Sequence, residues 1–201
     1  MKNAIKLTLL FSALIFTGCI HMMNEAADNI NSASNEPESV SEYNFATQTV
    51  DSLFQLDLPK YMKNIPSLHD EASLEYGNML KAAYTIVIHE DKHEFVETFK
   101  AFGEYNDSLS PVENYLHAQK GMMRETTEGA RFQEYGLSQI NGRPARQMKA
   151  EGIIDGINFF YVIGFIEGDD NIYMVMNWTT KDRRRRLENT FEFINGTFKI
   201  L

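Results

Sequence analysis

Cysteine is almost absent from this sequence of 201 residues, because Cys19 is the only one. A single thiol cannot form an intramolecular disulfide, so the fold has to be stabilised by its core alone. The sequence also lacks a P-loop, a dinucleotide-binding glycine fingerprint and a G-x-S-x-G nucleophile motif. These absences argue against nucleotide-dependent enzymes and common serine hydrolases, and we expect no cofactor.

Basic residues are scarce in the first part of the chain, and none occurs between Lys6 and Lys60. The whole chain has 28 acidic and 19 basic residues, which gives a formal net charge of −9 at pH 7. A surplus of negative charge disfavours binding to nucleic-acid phosphates and to bare anionic membranes. We therefore expect no nucleic-acid partner.

The first residues have the pattern of a secretion signal. Lys2 and Lys6 precede an apolar run at residues 7–16 that is too short to span a bilayer. The sequence Thr17-Gly18-Cys19 follows, and it resembles the lipobox of bacterial lipoproteins. In that family the cysteine thiol receives a diacylglyceryl group, and a peptidase cuts the chain just before the cysteine. Here a phenylalanine stands where the family usually has leucine.

The lipobox resemblance implies a lipoprotein signal peptide at residues 1–18 and lipidation of Cys19. We then expect a flexible acidic tether at residues 19–44, rich in Asn, Ser, Ala and Glu, and a globular domain at residues 45–201. The implied location is a bacterial cell envelope. Isoleucine rather than aspartate follows the cysteine, which favours the outer membrane, facing the periplasm. The alternative is an ordinary signal peptide with a chance cysteine or a buried thiol.

Local patterns in the first half of the domain predict three strands and two helices. Residues 51–59, 71–78 and 82–90 have the alternating or β-branched composition of strands. Asp91 and Ser110 each precede a glutamate by three residues, which is typical of helix N-caps. We therefore expect a helix after each of them.

The second half of the domain has the pattern of a strand meander. Turn sequences at Asn141-Gly142, Asp155-Gly156 and residues 167–171 separate four apolar segments, and a final helix begins near Lys181. The two last strands are apolar at nearly every position, so both of their faces are covered. The sequence thus predicts an α+β fold: an antiparallel β-sheet of about six to seven strands with helices packed on both faces.

Five short segments resemble the PsbP/DcrB-like α/β sandwich family: "LPKYM", "LHDEASLEYGN", "YTIVIHE", "RPARQMKAEG" and the closing "FKIL". The resemblance covers about residues 48–201 and implies a PsbP-like sandwich. Most members of that family are non-enzymatic binding or assembly factors. Together with the lipobox resemblance, this implies a lipid-anchored envelope protein with an unidentified protein partner. The PsbP-like family supplies no catalytic residues to carry over to this sequence.

The sequence "HEDKH" at residues 89–93 matches the zinc metalloprotease pattern H-E-x-x-H. That chemistry needs both histidines one turn apart on the same helix. The residues before His89 predict a strand and Asp91 predicts a helix start, which would separate His89 from His93. A metal-dependent hydrolase or metal-binding protein that uses His89 and His93 stays open as an alternative.

Two further features suggest binding surfaces. The basic run at residues 181–186 contains Arg183, Arg184, Arg185 and Arg186, which would ring the final helix at about 100° per residue. We expect this run to be mostly solvated, with docking on an acidic protein face as the alternative. A small-ligand carrier is a third possibility for the aromatic residues of the sheet: Phe159, Tyr161, Phe165, Tyr173 and Trp178.

Overall fold

The computed structural model of the protein describes residues 36–201, so the predicted signal peptide and Cys19 lie outside the described residues. This part of the chain contains eleven strands and three α-helices. The strands are β1 Phe45–Val50, β2 Phe54–Pro59, β3 Lys63–Asn64, β4 Leu74–Asn78, β5 Ala83–Asp91, β6 Glu128–Glu134, β7 Gln139–Ile140, β8 Arg143–Ile154, β9 Ile157–Glu167, β10 Asn171–Thr180 and β11 Lys199–Ile200. The helices are α1 Lys92–Phe102, α2 Pro111–Thr126 and α3 Arg184–Thr197. None of these three helices combines the length and hydrophobicity that a membrane crossing requires.

An antiparallel sheet of eight strands forms the centre of the domain. Its order is β3-β4-β5-β10-β9-β8-β6, and β7 pairs with β8 at the side. The predicted hairpin turns are confirmed: Asn141 and Gly142 have φ values of 46° and 79°, and Asp155 and Gly156 have 49° and 81°. Positive φ at both turn residues gives the backbone twist that a two-residue hairpin needs.

The central strands β9 and β10 are buried on both faces. Along β10, Met174 and Met176 join the core beneath α1 and α2, whereas Tyr173 and Val175 join the core beneath α3. Side chains of a strand alternate between faces, so a strand covered on both sides is apolar throughout. The predicted fold class, an antiparallel sheet with helices on both faces, is confirmed.

A second sheet of three strands, in the order β1-β2-β11, covers the same side as α3. Its central strand β2 directs Phe54, Leu56 and Leu58 into the core beneath α3. The sequence predicts a single sheet of about six to seven strands, whereas residues 36–201 contain eleven strands in two sheets. Strands β3, β7 and β11 have only two residues each, which is too short to produce a periodic pattern.

A line of buried polar side chains connects α3 to the middle of the large sheet. Thr85 Oγ1 in β5 donates to Asn177 Oδ1 in β10, and Asn177 Nδ2 donates to Asn195 Oδ1 in α3, both at 2.8 Å. Asn195 Nδ2 donates to Gln147 Oε1 in β8, also at 2.8 Å. Gly164 permits this approach, because a Cβ there would lie 3.0 Å from Asn195 Cγ. We call these four polar residues the amide network.

The amide network fixes where α3 sits on the sheet. Thr85, Asn177 and Asn195 are fully buried, and Gln147 is 4% exposed. A buried polar group that loses its partner costs about 1–3 kcal/mol, so any shift of α3 along the sheet is penalised. Together with the packing of Leu187, Phe191 and Ile194, the network therefore helps to fix the position of α3 on the sheet.

We predict that Asn195→Ala lowers the free energy of unfolding by about 2–4 kcal/mol, because it orphans buried amide groups and leaves a small cavity. The matched control is Asn189→Ala, an exposed asparagine on the same helix, which should change stability by less than about 0.5 kcal/mol. Urea denaturation of both variants measures the difference. Equal stabilities of the two variants would contradict a structural role for the network.

Candidate functional site

The two histidines of the H-E-x-x-H pattern lie on different elements. His89 is in β5 and His93 is in the first turn of α1, where its Nε2 lies 3.3 Å from Glu97. Asp91 caps α1 by accepting a hydrogen bond of 2.8 Å from a first-turn N–H, as the sequence predicts. The helix therefore begins between the histidines, which do not share a helical face. Within residues 36–201 no three His, Cys, Asp or Glu side chains are grouped so that they could hold a metal ion.

A serine and a histidine do approach each other at this end of β5. Ser73 Oγ lies 2.6 Å from His89 Nδ1, and the imidazole ring stacks on Tyr173 at 6.1 Å. A nucleophile and its base need a third group to orient the base, and no carboxylate of the described residues contacts His89. The pair is therefore incomplete as a catalytic triad.

The neighbouring Glu90 is a carboxyl with a shifted pKa. Burial raises its pKa, the hydrogen bond from Tyr115 opposes this, and the charges of Glu71 and Glu94 reinforce the rise. Tyr115 Oη donates to Glu90 Oε1 at 2.6 Å in the core beneath α1 and α2. His89 instead stacks on a side chain of the other core, so Glu90 and His89 point to opposite faces and cannot act together.

The aromatic residues proposed as a ligand-binding face are core residues. Four of them fill the core beneath α1 and α2, and Tyr173 fills the core beneath α3. They pack against other rings, such as Phe165 against Tyr115 with centroids 5.9 Å apart. The hypothesis of a carrier site on these residues is therefore wrong, because helices cover both faces of the sheet. The four aromatic residues in the core beneath α1 and α2 are Phe159, Tyr161, Phe165 and Trp178.

The basic run at residues 181–186 is dispersed around the start of α3. Lys181 and Arg184 pair with Glu151, and Arg183 donates to Leu80 O. Arg185 pairs with Glu36, and Arg186 pairs with Glu38. Arg184 also pairs with Glu188 one turn later, at 2.8 Å. The arginines thus contact different neighbours and form no single basic face. Their role in binding a protein partner stays a prediction.

The contact made by Arg186 belongs to a built carboxylate site. Glu38 Oε1 accepts from Lys81 Nζ at 2.6 Å and from Arg186 Nε at 3.3 Å. Its Oε2 accepts from Tyr61 Oη at 2.8 Å and from Thr190 Oγ1 at 3.4 Å. The backbone N–H of Glu38 also donates to Arg186 O at 3.0 Å. We call these five residues the Glu38 clamp.

The clamp stabilises Glu38 as a carboxylate although its side chain is only 14% exposed. Burial by itself would raise the pKa of Glu38, but the hydrogen bonds from Lys81 and Tyr61 and the charge of Lys81 together hold this pKa below its ordinary value. Burial, the charge of Glu38 and the hydrogen bond to it raise the pKa of Tyr61. The phenol therefore stays protonated and remains a donor.

The Glu38 clamp lies in the last part of residues 19–44, which the sequence predicts to be a flexible tether. Two further residues of this part contact the domain: Val40 packs on the core beneath α3, and Asn44 O accepts from the N–H of Lys60 at 2.9 Å. We call residues 38–44 the docked segment. Little in the sequence indicates this docking, because the segment is polar and both cationic partners are remote. Its only local indication is one valine in a polar stretch.

An open groove of about 530 Å³ runs beside the docked segment. Its walls include residues of the clamp together with Tyr43 and Lys60. The docked segment, the groove and the clamp lie together where the chain enters the domain. We therefore treat this end of the molecule as the candidate functional site.

Comparison with known proteins supports the fold. No family model matches the sequence, and no curated protein matches it. The solution structure of cyanobacterial PsbP (CyanoP) from Synechocystis sp. PCC 6803 is similar, with a TM-score of 0.50 and 8% identity over 85% of this chain and 99% of that chain. LpqN, involved in cell envelope biogenesis of Mycobacterium tuberculosis, gives a TM-score of 0.49 and 11% identity over 82% of this chain and 98% of that chain. PA94 of Pseudomonas aeruginosa, a protein of unknown function, gives a TM-score of 0.46 and 14% identity over 77% of this chain and 95% of that chain.

The domain therefore has a PsbP-like fold, as the sequence resemblance implied. The likeness to cyanobacterial PsbP reaches a TM-score of 0.50, and our fold assignment uses that structure. Identities this low define the architecture and leave the activity undetermined, because one sandwich can support unrelated functions.

We predict that Glu38→Gln lowers the free energy of unfolding by about 1–2 kcal/mol at neutral pH, since hydrogen bonds to a charged group are lost. Exposed Glu42→Gln in the same segment is the matched control and should be neutral. Because the folded-state pKa of Glu38 lies below its ordinary value of 4.5, its contribution is complete above that pH and disappears as the pH falls through the folded-state value. The measurement is thermal unfolding of the native protein and the two variants from pH 7 down to below pH 4.5. Equal unfolding temperatures of Glu38→Gln and Glu42→Gln at pH 7 would refute a stabilising role of the clamp.

Proposed function

We propose that the protein is a lipid-anchored, non-enzymatic factor of a bacterial cell envelope that binds another protein or supports assembly through its PsbP-like domain. The observation that supports this most directly is the sequence Thr17-Gly18-Cys19 at the end of an apolar run. A diacylated cysteine provides two acyl chains, which is enough for stable membrane attachment. The proposed location is the outer membrane, facing the periplasm.

The geometry of the domain supports a binding role over catalysis. His89 and His93 are on separate elements, and the pair of Ser73 and His89 has no orienting carboxylate among the described residues. Glu90, whose pKa is raised, is engaged by Tyr115 inside the core. The side chains best suited to chemistry are therefore not assembled at one point, and a binding surface is the simpler function for this domain.

Anchoring is tested by mass spectrometry of the native protein and by fractionation of the cells. We predict a mature amino terminus at Cys19 with the mass of its acyl chains, and partition into the outer-membrane fraction. Cys19→Ser should be unprocessed or soluble, because the acyl chains cannot be added without the thiol. A native amino terminus elsewhere, without acyl mass, would refute this part of the proposal.

Binding of another protein is tested by crosslinking in intact cells, followed by purification from membranes in mild detergent. We predict that one envelope protein is recovered in near-stoichiometric amount with the native chain and depleted with Cys19→Ser. The depletion is expected because a protein released from the membrane no longer meets a membrane-bound partner at high local concentration. Recovery of the native chain alone would contradict a role as a binding or assembly factor.

A further inference from the structure

Four segments that are separated in sequence meet at the end of the domain where the chain enters it. The turn between β4 and β5 contacts the residue that precedes α3, because Arg183 Nη1 donates to Leu80 O at 3.4 Å. The last residue of β4 contacts the turn after β2, because Asn78 Nδ2 donates to Tyr61 O at 2.9 Å. Lys60 of that turn lies over the ring of Tyr43, with Nζ 4.4 Å from the ring centroid. The docked segment, two turns and the start of α3 thus form one surface.

This surface contains three large apolar side chains that the domain leaves exposed. Tyr43 is 83% exposed, Leu80 72% and Met79 37%. Scattered apolar residues are normal on any surface, but three at one end of a small domain indicate a contact. Tyrosine and leucine are also the residue types that partition into the interface of a lipid bilayer.

The same surface has cations that no carboxylate neutralises. Within residues 36–201, no carboxylate lies within ion-pair distance of Lys60, Lys63 or Arg183. Arg185 has only a long pair of 3.8 Å with the exposed Glu36. The same elements also contribute the exposed acids Glu42 and Asp182. Lys60, Lys63 and Arg183 therefore remain available to anions although the chain as a whole is acidic. We call Tyr43, Lys60, Lys63, Met79, Leu80 and Arg183 the entry surface.

In an anchored protein the path of the chain keeps this surface within a short reach of the membrane. Glu38 fastens the chain beside the entry surface, and Cys19 lies nineteen residues earlier in the sequence. Even a fully extended chain of that length spans no more than about 65 Å. An anchored domain is thereby confined near the bilayer, where its effective concentration makes even weak docking favourable.

We propose that the entry surface docks on the anionic headgroups of the bilayer that holds the anchor, with Leu80, Met79 and Tyr43 inserted at the interface. This inference rests on the proposed lipid anchoring. Each available cation adds about fivefold to the partition of a surface onto anionic lipid, and apolar side chains between the cations add their own burial. The domain then lies against the membrane at this end and presents its opposite end, with the turn between β9 and β10, to other proteins.

The test uses the lipidated full chain in vesicles, with a nitroxide label on a single introduced cysteine. If Cys19 is acylated, its thiol is blocked and only the introduced cysteine reacts. Met79→Cys places the label on the entry surface. The control is Asp170→Cys, because Asp170 immediately precedes β10, whereas the turn between β4 and β5 is near the other end of that strand. A water-soluble relaxation agent reports how exposed each label is.

We expect the label at residue 79 to be shielded in vesicles that contain phosphatidylglycerol, while the label at residue 170 stays exposed. Shielding should be lost in phosphatidylcholine vesicles. Shielding should also be lost in the triple variant Lys60→Gln/Lys63→Gln/Arg183→Gln. Each removed cation weakens docking about fivefold, so the three together weaken it roughly 100-fold. These side chains are at the surface, so the unfolding temperature of the triple variant should be unchanged.

Equal exposure of the two labels in phosphatidylglycerol vesicles would overturn the docking proposal. Shielding of residue 79 only in native membranes, and not in protein-free vesicles, would overturn it in favour of an acidic protein partner. Failure of the chain to enter vesicles or membranes at all would instead refute the lipid anchoring, so the two failures are distinguishable.

Discussion

The hydrogen bonds between Asn195 of α3 and the buried amides of the sheet fix the position on which the surface features depend. Asn195 joins Asn177 and Gln147 in a fully covered position, where a shift of the helix would leave polar atoms unpaired. Once α3 is fixed there, Arg186 and Thr190 project toward the turns of the sheet. The contributions of Arg186 and Thr190 to the Glu38 clamp therefore depend on where the amide network and the apolar packing hold α3.

The clamp in turn fastens the chain to the domain ahead of β1. A carboxylate that is mostly removed from water is stable only when charged and hydroxyl groups surround it, and Glu38 finds these on three separate elements. Residues 38–44 are held by it against the core beneath α3. A domain boundary placed at residue 45 would delete the carboxylate and leave the clamp cations without their partner.

The PsbP-like architecture explains why no interior site is available for the aromatic residues of the sheet. Helices cover one face, and α3 with a small second sheet covers the other, so the two central strands are buried along both sides. Functional contacts then have to form on the outer surface of the domain, and the ends and loops are where binding residues are often found in other rigid scaffolds. In this protein the end beside the clamp has three exposed large apolar side chains, Tyr43, Met79 and Leu80, next to cationic side chains.

The sequence by itself determined the features that depend on neighbouring residues. Asp91 and Ser110 as helix caps, the turns at Asn141-Gly142 and Asp155-Gly156, and the two-sided burial of the last strands are local patterns. The separation of His89 from His93 followed from the same local logic, because a helix cap lies between them. The fold class could be predicted from these patterns together.

Only the tertiary structure decided the second sheet, the amide network and the clamp. Glu38 is 43 residues from Lys81 and 148 residues from Arg186 in the chain, and no periodic pattern relates positions so far apart. Strands of two residues and single buried amide side chains also cannot be recognised in the sequence, because neither produces a periodic pattern. Such contacts exist because the sheet topology brings remote segments together, and the energy of a buried charge or amide depends on which groups then surround it.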